Sequence, residues 1–123
     1  MRKQEFREAI LSILQQNVDD LPNDVKVPFV RQVLVDYEKS LPHNEGNKGQ
    51  PWTDEELRLI LTTPPTKENI MVLAKAFKRG YGSIEQIFRW AAEDQKAIAT
   101  KRAGDTFIQQ IKRIAREVGW RAT

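Results

Sequence analysis

The chain has 123 residues, 40% of them apolar and 30% charged, with six Gly and six Pro. These are ordinary globular values, and they argue against wholesale disorder or a repetitive fibrous architecture. The absence of cysteine excludes a disulfide scaffold, a thiolate zinc site, an iron–sulfur cluster and a Cys nucleophile, and the lone His43 excludes multi-His metal sites and His-based triads.

Charge is uneven. Residues 1–50 carry 7 Lys+Arg against 8 Asp+Glu, a net of −1, whereas residues 51–123 carry 13 against 9, a net of +4. A surplus of that size permits a phosphate-facing surface without requiring one. No stretch reaches the ~20 apolar residues of a membrane span. The basic opening Met1-Arg2-Lys3 is followed by no unbroken apolar run, so no signal peptide is expected. The expectation is a soluble intracellular protein without membrane contact, cytoplasmic and nucleoid-associated in a bacterium or nuclear in a eukaryote.

Apolar residues recur at helical spacing along nearly the whole chain. Phe6, Ile10, Ile13 and Leu14 predict an amphipathic helix over 3–16. Phe29, Val30, Val33, Leu34, Tyr37 and Leu41 predict a second at about 28–40, with Pro28 in its first turn. Residues 42–51, rich in Gly, Pro and Asn, read as a linker with little that could pack. Thr53 and Glu56 then form a capping box, and Asp54, Glu55 and Glu56 suit the positive end of a helix dipole. Leu57, Ile60 and Leu61 give that helix its buried face, and Pro64-Pro65 ends it. Thr66 caps a helix at about 67–79 with the face Ile70, Leu73, Ala74 and Phe77, and Gly80 is expected in the left-handed position at its end. Phe77 is the deepest large side chain expected in this unit.

Ser83 and Gln86 make a second capping box ahead of Ile84, Ile87, Phe88 and Ala91, in a helix extending to about 99. Asp105 caps a last helix with Phe107, Ile108, Ile111, Ile114, Ala115 and Val118 on one face, ended by Gly119. The fold class is therefore all-α: about six helices with a central three-helix bundle. Its segments are an N-terminal helical pair (1–41), a linker (42–51), a helix-turn-helix unit (52–99) and a basic amphipathic C-terminal helix (100–123).

Within 51–91, three capped helices follow one another, the last two joined by a tight Gly-containing turn, as in a helix-turn-helix. Pro51-Trp52-Thr53-Asp54-Glu55-Glu56 resembles the opening of a Myb/SANT-type domain. The run from Ile70 to Phe77 is similar to that family's second helix, with Ile70 in place of a core Trp. The run from Ser83 to Ile87 is similar to the start of its recognition helix. The resemblance implies a core of Trp52, Leu73, Ala74, Phe77 and Ile87. It also implies that the outward face of the helix from Ser83 meets the DNA major groove. The turn after Phe77 is about two residues longer than usual for the family, and Trp90 comes one residue early, leaving Ala91 as the alternative core slot.

The expected function is a small DNA-binding protein, a regulator or a recruiting subunit, whose partner is double-stranded DNA. Ser83, Gln86 and Arg89 would read base edges. Lys75, Lys78, Arg79, Lys101 and Arg102 would hold phosphates, joined by Lys112, Arg113 and Arg116 on the last helix beside Gln109. The alternative is a SANT-type protein-interaction module, favoured by Glu85 and Glu93 on the reading helix. The N-terminal pair is open to packing on the C-terminal helix, to a homodimer contact or to a protein partner. No cofactor, metal or enzymatic activity is expected. His43 and Glu45 lack further ligands, Asp19, Asp20 and Asp24 lack the remainder of a calcium loop, and helix-start electrostatics account for Asp54 to Glu56.

Overall fold

The computed structural model describes residues 1–93 and 105–121. They form six helices: α1 (Lys3–Leu14), α2 (Asn23–Lys39), α3 (Asp54–Leu61), α4 (Lys67–Phe77), α5 (Tyr81–Ala92) and α6 (Thr106–Val118). The expected continuation of α5 to about 99 lies outside the described residues. Among the described residues there is no strand beyond an isolated bridge between Val18 and Leu21, and no helix is long and apolar enough to cross a membrane.

The core belongs to α3–α6. Leu57, Ile60, Ile84, Ile87, Ile108, Ile111 and Ile114 are fully enclosed there. Helix α6 packs on α3 and α5, α5 on α4, and α4 on α2. The C-terminal helix thus shares one core cluster with the three helices before it: Ile111, Ile114 and Ala115 sit among Leu57, Leu73 and Ile87.

Side-chain caps set three of the starts. Thr53 and Glu56 exchange bonds of 3.1 and 2.8 Å, Thr66 accepts from the Asn69 amide, and Asp105 accepts from the Ile108 amide. Each satisfies amides that the first turn leaves without an intrahelical partner.

Four local expectations are corrected. Ser83 caps nothing: α5 begins three residues earlier than expected, with Gly80 as N-cap, which leaves Ser83 exposed in the first turn. The left-handed residue after α4 is Lys78 (φ 55°) and not Gly80 (φ −73°). The amides of Lys78 and Arg79 bond back to Lys75 and Ala74, closing the helix at Phe77, two residues early. Helix α2 starts at Asn23, so Pro28 lies inside it rather than in its first turn, and α1 stops at Leu14. Phe77 is only half-buried, its ring edge-on to Trp52 at 5.7 Å, because isoleucines and Leu57 fill the centre. Leu73, Ala74, Ile87 and Ala91 are buried, and Trp52, Trp90 and Trp120 pack at the margin.

The N-terminal pair differs. Helix α1 buries none of its residues, and α2 buries only Lys26 and Val35. Of the expected stripe Phe29, Val30, Val33, Leu34, Tyr37 and Leu41, Val30 is half-buried and the other five are exposed. Lys26 fastens the two helices, donating to the carbonyls of Leu14 (2.8 Å) and Gln16 (2.7 Å) at the open end of α1. Lys39 lies over the Tyr81 ring at 4.1 Å, fixing the end of α2 beside the start of α5.

Candidate nucleic-acid interface

Helix α5 is locked on one side and open on the other. Ile84, Ile87, Phe88 and Ala91 are buried, whereas Ser83, Gln86 and Arg89 are exposed. A cation stands at each terminus, Lys112 from α6 and Arg79 from the turn just before the helix. At the C-terminus, Lys112 donates to the carbonyls of Ala91 (3.0 Å) and Glu93 (2.8 Å), satisfying acceptors the last turn cannot pair.

At the N-terminus the organiser is Arg79, 5% exposed. Its guanidinium donates to the carbonyls of Gln50 (2.6 Å) and Pro51 (3.3 Å) and lies over the Trp52 ring at 3.9 Å. Its own carbonyl accepts from His43 at 2.7 Å. Asn47 adds a backbone bond to Lys78 and a side-chain bond to the Phe77 carbonyl. Glu45 lies so close to Gly80 that a Cβ there would fall 2.6 Å from its carboxylate oxygen. The segment expected to be a free linker is therefore a strap over the α4–α5 turn.

Two expected phosphate ligands are thereby corrected. Arg79 is buried and committed to carbonyls, and Lys112, half-buried, is a helix cap. The basic stripe of α6 divides, because residues 112 and 113 lie ~100° apart on a helix. Lys112 turns to α5. Arg113 turns to α3, where it donates to both oxygens of Asp54 at 2.9 and 3.1 Å. Lys75 pairs with Glu38, and Arg89 with Glu85 at 2.9 Å. Lys78 and Arg116 are exposed and make no ion pair among the described residues. Lys101 and Arg102 lie outside the described residues.

Two grooves flank α5. The larger, about 690 Å³, brings the expected residues Ser83, Gln86 and Arg113 together with Trp52, Phe107 and Gln110. The smaller, about 330 Å³, is lined by Arg89 and Glu85 with Lys67 and Trp120. Gln86 and Arg89 thus share the outward face of α5 but address different grooves. Sequence reasoning missed Gln110, whose amide reaches the Trp52 carbonyl (3.1 Å) and Asp54 (2.9 Å). Its place beside Arg113 on the polar margin of the last helix was the only signal.

The α3–α6 seam is electrostatic at its edge. Hydrogen bonds from Arg113, then Gln110, hold the Asp54 carboxyl below its ordinary value, and the bond from Arg58 does the same for Glu117. Arg58 reaches Glu117 through two bonds of 2.6 and 3.1 Å. The paired side chains are a third to a half exposed, so the pairs contribute orientation more than stability.

Residues 46–122 match the family model described as "Uncharacterised protein PM1205 C-terminal domain", a span that opens inside the strap and runs through α6. Over 121 residues the chain is 44% identical to "Uncharacterized protein PM1205" of Pasteurella multocida (strain Pm70), covering 96% of this chain and 97% of that one. No solved structure matches the chain. With most of the strap and all four packed helices inside the match, the chain belongs to the PM1205 C-terminal domain family.

Proposed function

We propose that the chain binds duplex DNA with α5 presented to the major groove, as in a Myb/SANT-like helix-turn-helix. The observation that carries this reading is the division of α5: four side chains locked in the core, and Ser83, Gln86 and Arg89 left uncovered on the opposite side. A helix docked in a groove needs that rigidity behind it and donors in front. Arg89 and Gln86 supply the base-reading donors. Lys78, exposed two residues ahead of the Gly80 N-cap, supplies the phosphate contact. Arg79 and Lys112 act behind the interface, Arg79 tying the strap down beside the start of α5 and Lys112 holding its C-terminus.

A second reading, a SANT-type protein-interaction module, draws support from the pairing of cations around α5. Lys75, Arg89 and Arg113 each face a carboxylate, which lowers the positive potential available to phosphates. Exposed pairs of this kind contribute only ~0–1 kcal/mol, so a phosphate can displace them.

Selection from random duplex DNA followed by titration of variants tests the proposal. Arg89→Ala should lower affinity for a selected site by about 1–3 kcal/mol and relax discrimination at one base pair. Lys78→Gln should weaken all sequences alike and reduce the salt dependence by about one ion. If duplex DNA at low salt leaves the Arg89 and Gln86 NMR signals unmoved, the protein-interaction reading replaces this one.

A further inference from the structure

We propose that the chain self-associates through the outward apolar face of α1 and α2, in a symmetric dimer whose interface is the same two helices of a second copy. The inference stands on the N-terminal pair and needs nothing from the DNA reading.

Helix α2 meets the rest of the molecule with the wrong side for its pattern. Val35 is its buried apolar residue, and Pro28, Arg31, Gln32 and Val35 face the start of α4 across a shallow groove. The apolar stripe Phe29, Val33, Leu34, Tyr37 and Leu41 is 45–61% exposed. Val33 and Val35 lie ~160° apart around a helix, so packing on α4 directs the stripe outward. Helix α1 adds Phe6, Ile10 and Ile13, 41–69% exposed.

Two magnitudes argue for an occupant. A 12-residue helix that buries nothing is marginal alone, because isolated helices shorter than ~12–15 residues gain too little from their own hydrogen bonds. Summed over their exposed fractions, the eight side chains present on the order of 700 Å², close to the ~800 Å² per partner of a standard interface.

Charge selects a second copy over a strongly charged partner. Residues 1–41 carry six Lys+Arg against seven Asp+Glu, a net of −1. A near-neutral surface does not repel itself across a two-fold axis, where each patch meets its own image. Lys26 holds α1 and α2 as one unit, so two copies bring four helices together around a shared apolar core, as in a helical bundle.

Sedimentation equilibrium of the full chain, without DNA, over the micromolar range is the test. The expected result is a mass twice that of the chain. Leu34→Glu and Ile10→Glu should each weaken association by about tenfold or more, while Val72→Glu, more exposed than either but on α4, should leave it unchanged. Circular dichroism of the dilute variants checks that the remaining helices stand. A chain monomeric throughout the range overturns the proposal, and so does a dimer that neither Glu variant weakens. The assay contains no DNA, so its outcome is separate from that of the α5 titrations: a dimer that binds no DNA would overturn only the latter.

Discussion

The helices at the two ends of the chain have similar patterns and opposite surroundings. In α1, Phe6, Ile10 and Ile13 form a stripe at three- and four-residue spacing, and in α6, Ile108, Ile111, Ile114 and Ala115 do the same. The first stripe faces solvent and the second is enclosed. The difference lies in what flanks them. Helix α6 returns to the groove between α3 and α5, whereas α1 is followed by a helix whose own apolar stripe also points outward. An amphipathic stripe states that a helix can be covered, and it leaves open whether by its own chain or by another. The cations follow the same division. Lys26 and Lys112 both cap a helix C-terminus, but one cap joins two exposed helices and the other locks a helix inside the core.

The two ends of the chain should differ most in the cost of truncating their apolar stripes. Ile111→Ala should lower stability by about 2–5 kcal/mol, because it removes a fully enclosed side chain and leaves a cavity. Ile13→Ala, at a concentration too low for self-association, should cost less than about 0.5 kcal/mol. Equal shifts in urea midpoint would mean that α1 has a covered face within the monomer.

The caps come next. Lys112→Met keeps the apolar stem and removes two charge-assisted bonds to α5, so a loss of about 1.5–3 kcal/mol is expected in urea unfolding. Lys26→Met should act locally, with hydrogen exchange rising in α1 and the α3–α6 amides unmoved. Exchange rising across both regions would mean that the two units unfold together.

Among the helix starts, Thr53→Ala should cost about 1 kcal/mol, since it removes one half of an observed capping box. Ser83→Ala should stay within about 0.5 kcal/mol, because Ser83 is an exposed first-turn residue that caps nothing. A larger loss for Ser83 than for Thr53 would move the start of α5 back to the position its sequence pattern suggests.

The smallest effect is acid sensitivity of the α3–α6 seam. Asp54 and Glu117 have folded values held below their ordinary ones by the bonds from Arg113 and Arg58. Their contribution is therefore present above the unfolded values, ~4, and lost as pH falls through the folded ones. Between about pH 5 and pH 3, the urea midpoint should fall more in the wild type than in Asp54→Asn. Parallel falls would mean that other carboxylates carry the acid response.

Much of the helix inventory was legible in the sequence, because its signals are local. The capping box at Thr53, the caps at Thr66 and Asp105, the Pro64-Pro65 stop and the Gly119 ending each involve atoms within a few residues of one another. The buried faces of α3 and α5 followed from periodicity in the same way, and that of α4 did except at Met71 and Phe77. The candidate interface was legible in part: the open face of α5 with Ser83, Gln86 and Arg89 came from that pattern, whereas the roles of its neighbours did not. Arg79 reads as a surface cation until the strap of residues 43–52 is laid over the α4–α5 turn and its carbonyls surround the guanidinium. Lys112 and Arg113 read as one stripe until α3 and α5 stand on either side of them. Local sequence determined which residues form helices and which face of each is apolar, through bonds and sterics that act over three or four positions. Only the tertiary structure decided which apolar faces are covered and which cations stay free, because both depend on contacts between residues as far apart as Arg58 and Glu117, whose meeting no local period encodes.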